Sequence, residues 1–383
     1  MTSLYELLIL GAPSDTQLGE LERLISQAVQ PFDLNLGREI AWSVRPESFD
    51  VEQQKITAAV FFGGKKASAP NLKTLLRGAV PVLPVVSDPS KVRGELPAIL
   101  RPLNCLGYCD GGAQRVATAL LECVGLLPRQ RRVFLSYRRD ETRQTALQLF
   151  DALSSRLFDV FLDTHSIAPA ENFQEMLWHH LCDSDVLVML DTPNYFEGRW
   201  TSAEFGRALA KGIAILRVGW PDTTPSKRTL TATHEELLPE EIDSESGRLT
   251  DEAVARICLR LEAVRSRGYA VRHVNLVDKL RYDVERIGGN VTGLGPGNAM
   301  HVRLADNREL VVYPAMGVPA STALHDAATN MPAHSVAIVY DHVGLSRARV
   351  AHLDWLNRYI EPPRKVRFIK ATEAAWQLAD WEH

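Results

Sequence analysis

Between Arg131 and Val218 short apolar runs alternate with amphipathic stretches in a regular order. Val133 to Ser136, Phe158 to Leu162, Val186 to Leu190 and Ile213 to Val218 read as strands. Ala146, Leu149, Phe150, Leu153 and Leu157 recur at helical spacing after the first run, Phe173, Met176, Leu177, His180 and Leu181 after the second, and Phe205, Ala208 and Leu209 after the third. Alternation of strand and helix predicts a parallel sheet covered on both faces. Val186 to Leu190, apolar at every position, belongs mid-sheet. In such a sheet the loops leaving the carboxyl ends of strands gather along one edge, where ligands bind. That rule brings Ser136 to Arg139, Asp163 to Asn172 and Tyr195 to Glu204 to a common rim.

The flanks carry the same kind of pattern. Residues 1 to 127 predict a strand at Tyr5 to Leu10, a helix from Thr16 to Val29, strands at Ile40 to Val44 and Ala58 to Phe62, a helix near Leu72 to Leu76, a strand at Val80 to Val86 and a closing helix near Ala113 to Leu126. After Val218, the polar and acidic stretch from Pro221 to Gly247 reads as a surface excursion, and Thr250 to Arg267 as a helix closing the middle domain. From about residue 270 the pattern predicts a helix at Val274 to Ile287 and a hairpin through Val302 to Val312 turning at Asp306-Asn307. Helices at Thr322 to Thr329 and Arg347 to Tyr359, strands at Ser335 to Tyr340 and Val366 to Ile369, and a last helix carrying Trp376 and Trp381 complete it. The glycine-rich Gly288 to Gly297 fits neither a Walker loop nor a dinucleotide fingerprint and reads as a flexible turn.

Phe134-Leu135-Ser136-Tyr137, Phe161-Leu162-Asp163, the loop Ile167 to Phe173 and Trp200-Thr201-Ser202-Ala203-Glu204 together resemble a Toll/interleukin-1 receptor (TIR) domain of the prokaryotic type, over residues 131 to 267. The expected fold is therefore α/β: three consecutive doubly wound domains, flavodoxin- or TIR-like, with mostly parallel sheets, at 1–127, 131–267 and 270–383. Aligning Gly78 with Gly212 sets Pro70 opposite Glu204. The first domain then reads either as a degenerate, non-catalytic copy of the second or as an unrelated domain of the same general plan.

The resemblance implies two roles, hydrolysis or cyclisation of NAD+ and scaffolding through TIR–TIR contacts. In catalytic members a glutamate on the helix after the third strand is essential, and the Trp-x-x-x-Glu pattern puts it at Glu204. The chemistry supplies a reason. Cleavage of the nicotinamide–ribose bond passes through an oxocarbenium-like state that an ionised carboxylate stabilises. Nicotinamide leaves a cationic substrate as a neutral molecule, so no second acid is needed. On this reading Tyr195 and Trp200 offer aromatic surface to a substrate ring, Arg138 and Arg139 meet the pyrophosphate, Ser136 and Tyr137 line the entrance, and Asp163, where the second strand stops, joins them in binding NAD+. NAD+ is then a substrate, with no resident cofactor and no metal. The family commonly has Pro-Gly in the loop after the second strand. Here Pro169-Ala170 stands instead, which removes a conformation open only to glycine and bears on assembly contacts.

Composition narrows the setting. The chain has 383 residues, 45% of them hydrophobic and 23% charged, enough for two or three domains with full cores. A formal charge of −4 gives no global electrostatic case for nucleic acid or an anionic membrane. Cys105, Cys109, Cys123, Cys182 and Cys258 show no metal or Cys-x-x-Cys spacing and read as reduced thiols. His179 and His180, adjacent on a predicted helix, point in different directions. The opening residues lack the form of a signal peptide, and no window approaches the roughly 20 apolar residues of a membrane span. The sequence thus predicts a cytoplasmic protein that meets NAD+, self-associates through its TIR part and answers to a protein or nucleotide signal.

Overall fold

The computed structural model describes residues 3–47, 55–65, 67, 72–109, 111–162, 171–331, 334–359 and 366–381, with backbone only at 171–174. The elements run β1 (Tyr5–Gly11), α1 (Asp15–Val29), β2 (Ile40–Val44), β3 (Ile56–Phe62), α2 (Leu72–Arg77), β4 (Val82–Val86), α3 (Val92–Glu95), β5 (Leu106–Gly107) and α4 (Gly112–Cys123) in the first third. The middle third holds β6 (Arg132–Ser136), α5 (Arg139–Ser154), β7 (Asp159–Leu162), α6 (Glu171–Asp183), β8 (Val186–Asp191), α7 (Arg199–Lys211), β9 (Ala214–Gly219), β10 (Thr233–Glu236) and α8 (Asp251–Arg286). The last third holds β11 (Asn290–Leu294), β12 (Met300–Arg303), β13 (Glu309–Ala315), α9 (Ser321–Asn330), β14 (Ser335–Tyr340), α10 (Arg347–Tyr359), β15 (Val366–Lys370) and α11 (Ala374–Ala379).

Among the described residues three five-stranded sheets result, and the fold is α/β. The first is ordered β2-β1-β3-β4-β5 and the second β7-β6-β8-β9-β10, both with parallel pairing. This is one and the same doubly wound order, with chain reversal between β1 and β3 and between β6 and β8. The third sheet differs: β11, β12 and β13 form an antiparallel meander before β14 and β15 join in parallel.

The chain packs as two compact units: Pro128–Tyr269 with Val343–Arg347, and Met1–Leu127 with Ala270–His342 and Ala348–His383. In the first of these, alternation along β6 divides the core. Val133 and Leu135 face α5 and the early part of α8, while Phe134 faces α6 and α7 with Leu187, Met189 and Ile215. Ser136, two residues beyond Phe134, continues the α7 face. At the opposite, amino edge of this sheet, Arg131 and Arg265 are fully buried with Glu262 and Asp185. Arg131 Nη2 lies 3.0 Å from Glu262 Oε2, and Arg265 lies 3.4 Å from both Glu262 and Asp185.

Four expectations change. The stretch Pro221 to Gly247 is not only an excursion, because Thr233–Glu236 in it forms the edge strand β10 beside β9. Gly288 to Gly297 is not only a turn, because Asn290–Leu294 pairs with β12 across a bulge. The two helices expected on either side of residue 268 are one α8 of 36 residues. Gly268, which invites a break, is retained because an alanine Cβ there would sit 2.5 Å from the Ala214 Cβ, so β9 packs against bare helix backbone. The hairpin turn at Asp306-Asn307 stands where expected, with Asn307 at φ 67°. Trp381 follows α11 rather than lying on it, and is buried. Pro70 lies outside the described residues.

Candidate active site

The reversal between β6 and β8 opens a crevice at the carboxyl ends of these strands, the place where ligands bind in such sheets. Three side chains from three separate stretches meet there. Ser136 ends β6. Tyr195 begins a 3-10 turn, Tyr195–Glu197, after β8, and Glu204 lies in the second turn of α7. The turn is fastened to α7 from within: Thr201 Oγ1 donates to the Tyr195 carbonyl and Ser202 Oγ to the Phe196 carbonyl at 2.9 Å. Phe196 then sets its edge on Phe205, ring centroids 5.3 Å apart.

Ser136 Oγ donates to Glu204 Oε2 at 2.5 Å and lies 2.6 Å from the Tyr195 hydroxyl. Glu204 is 6% exposed and Tyr195 is fully buried. Burial first, and the nearby Glu204 charge second, push the Tyr195 phenol well above its ordinary range, so it stays protonated. A carboxylate is thus largely withdrawn from solvent and met by the Ser136 hydroxyl, which in turn meets that of Tyr195.

Residues 133–243 match the family model described as a TIR domain. The middle of this chain is a TIR domain. No curated protein matches the chain. Among solved structures, tagatose-6-phosphate ketose/aldose isomerase from Escherichia coli is similar at 9% identity, covering 72% of this chain and 82% of that one, with a TM-score of 0.21. So slight a likeness bears on neither fold nor chemistry.

Within the TIR domain the expected site residues divide. Ser136, Tyr195 and Glu204 come together. Tyr195 does not present a ring face, because the 3-10 turn tucks it inside; it contributes its hydroxyl instead. Trp200 does present one, being 44% exposed with the Arg199 guanidinium 5.5 Å from its ring. Tyr137 is buried. Arg138 is tied down: its Nη1 donates to the Asn194 carbonyl at 2.7 Å and its Nε lies 3.4 Å from Glu141. Asn194 in turn donates to Glu141 at 2.9 Å, so the loops after β6 and β8 are laced together. Arg139 is half-buried at the start of α5. Asp163, with the Pro169-Ala170 loop, lies outside the described residues.

Sequence reasoning missed one neighbour of the site. Asp191, at the end of β8, is buried with Arg217 of β9, Nε to Oδ2 2.5 Å, and Arg217 also meets Glu236 of β10. Burial drives the Asp191 carboxyl upward while Arg217 draws it down, and burial prevails. The signal was available, a lone arginine inside the apolar run Ile215-Leu216-Arg217-Val218. None of the five cysteines is in a disulfide. Among the described residues no helix is long and apolar enough to cross a membrane.

Proposed function

We propose that this TIR domain is an NAD+ glycohydrolase with Glu204 as its catalytic carboxylate. One observation carries the reading: Glu204 stands at the strand-reversal crevice, largely withdrawn from solvent, with a hydroxyl donating to it. Hydrogen bonds donated to a carboxylate favour its charged form, and a charge in a poorly solvated crevice acts strongly on charge that develops nearby. When the bond between ribose C1′ and the nicotinamide nitrogen breaks, its electron pair leaves with nicotinamide and neutralises the pyridinium. Positive charge appears on C1′ and the ring oxygen. Glu204 stabilises it, water adds at C1′, and one proton is released with ADP-ribose. Capture of C1′ by a nucleophile of the same molecule would give the cyclic product instead.

The exposed pair Trp200 and Arg199 offers a flat surface and a cation to the nicotinamide or adenine ring, or to the pyrophosphate. Free NAD+ hydrolysis would harm a host cell. Activity held off until the TIR domains self-associate, under a protein or nucleotide signal, suits an effector of bacterial antiviral defence acting in the cytoplasm. A place for such a signal is a cavity of about 320 Å3 in the unit that holds both flanking stretches, walled by Lys55, Arg77, His273 and Asp278 among others.

The test is nicotinamide release from NAD+ by purified protein across a range of concentrations, wild type against Glu204→Gln. The amide keeps the shape and removes the charge, so turnover falls about 100-fold or more with the fold retained. A second reading is favoured by the same bond to Ser136: Glu204 as a brace joining β6 to α7 in a non-catalytic scaffold. That reading expects no turnover by wild type at any concentration, with self-association unchanged in Glu204→Gln.

A further inference from the structure

We infer that Tyr195 is a positioning residue that acts on Glu204 through Ser136, an inference that rests on Glu204 being the catalytic carboxylate. Counting protons fixes the direction of the chain. A serine hydroxyl has one proton and a phenol has one. Ser136 gives its proton to Glu204 Oε2, so at 2.6 Å from the Tyr195 hydroxyl it can only accept. Tyr195 therefore donates to Ser136, Ser136 donates to Glu204, and the carboxylate ends the row as pure acceptor. The reverse polarity needs a protonated Glu204 giving to Ser136, and Ser136 giving to Tyr195. The phenol proton would then need another acceptor, and among the described residues the Tyr195 hydroxyl has Ser136 as its hydrogen-bond partner.

The anchor at the far end is rigid. The Tyr195 backbone N–H donates to the Thr192 carbonyl at 3.0 Å, its carbonyl receives Thr201 Oγ1, and its ring stands edge-on to Phe196 with centroids 5.1 Å apart. Ser136 lacks such constraint, since a serine hydroxyl turns among three staggered positions. The phenol selects the one that points the proton at Glu204. The phenol, kept protonated by burial and by the neighbouring carboxylate, remains a donor at neutral pH. Nothing in this role requires the aromatic face to reach the substrate, which agrees with the complete burial of Tyr195.

The experiment is a cycle of Tyr195→Phe, Ser136→Ala and the double variant in the full-length chain, with kcat and KM for nicotinamide release and Tm for each. Tyr195→Phe keeps the packed ring and is expected to lower kcat about tenfold with KM within about twofold. In the Ser136→Ala background the same change is expected to cost nothing more, because the route to Glu204 is already cut. Unchanged kcat in Tyr195→Phe overturns the inference. So does a loss of the same factor in both backgrounds, which would mark Tyr195 as a packing residue. If Glu204→Gln is inactive while Tyr195→Phe is fully active, only the positioning role falls. If wild type and Glu204→Gln turn over NAD+ alike, or wild type not at all, the assignment of Glu204 falls and takes Tyr195 with it.

Discussion

Arg217 leaves the middle of β9 with its guanidinium wholly out of solvent and meets Asp191, itself 2% exposed, at the edge of the crevice. Removing one member of a buried pair strands the other, at a cost of about 3–5 kcal/mol, whereas replacing both by apolar groups of similar volume is often neutral. Arg217→Met is therefore expected to lower unfolding free energy by that amount in urea titrations, and Arg217→Met with Asp191→Leu to recover most of it. Equal losses in the single and double variants would mean that the pair is not coupled. The sequence showed which residues would gather here but not how. Ser136 and Glu204 were legible because the ends of strands and the helix after β8 follow from periodicity. Tyr195 was misjudged because a 3-10 turn of three residues leaves no periodic trace. The partnership of Asp191 and Arg217 reaches diagonally across two strands, since Asp191 lies opposite Gly219 and Arg217 opposite Met189, and pairing register is invisible to a linear pattern.

Among the elements, α8 sets helix propensity against packing at a single position. Glycine inside a helix costs about 1 kcal/mol relative to alanine. Gly268→Ala would gain that, but its Cβ would stand 2.5 Å from that of Ala214, backed by strand β9. Overpacking of this kind costs about 1–3 kcal/mol, so the substitution is expected to lower Tm despite improving the helix. A raised Tm would show that helix and strand separate freely. The same weighing explains which elements were unreadable. β10 is Thr233-His234-Glu235-Glu236, with no apolar alternation, because it is an edge strand held by charge: Glu235 pairs with Arg256 at 2.5 Å and Glu236 with Arg217. β11 carries Gly293 at its bulge, and glycine in a strand reads as a turn.

Over the whole molecule, the joining of residues 1–127 with 270–342 and 348–383 in one unit was not legible, since it depends on contacts between stretches far apart in sequence. Gly78 O accepts from Arg281 Nη2 at 3.2 Å, and Pro81 bridges to Leu294. This unit has a built-in acid sensitivity. Burial lowers His273 to about 4 and, with help from His334, lowers His301 to about 4 as well. The folded state therefore binds fewer protons than the unfolded chain between the ordinary histidine value of 6.5 and about 4. Their contribution is whole above 6.5 and is lost as the pH falls through that window, about 2 kcal/mol for each by pH 5. The unit is expected to be markedly less stable at pH 5 than at pH 7, and His301→Gln to flatten the dependence. An unchanged pH profile in that variant would exclude His301 as a source.

The short segment Val343–Arg347, though it follows β14, belongs to the TIR unit. Gly344 adopts φ +80° there, its carbonyl accepts from the Cys182 thiol at 3.2 Å, and a Cβ at that position would fall 2.9 Å from the sulfur. A side chain in place of this hydrogen forces the segment or the Cys182 thiol to shift and breaks the fit between them, and what it uncovers can be labelled. Gly344→Ala should let a maleimide modify Cys182 in the native full-length protein within minutes, while the parent stays protected there and reacts at the exposed Cys109. One backbone hydrogen atom thus doubles as a seal, and its loss can be read by mass spectrometry.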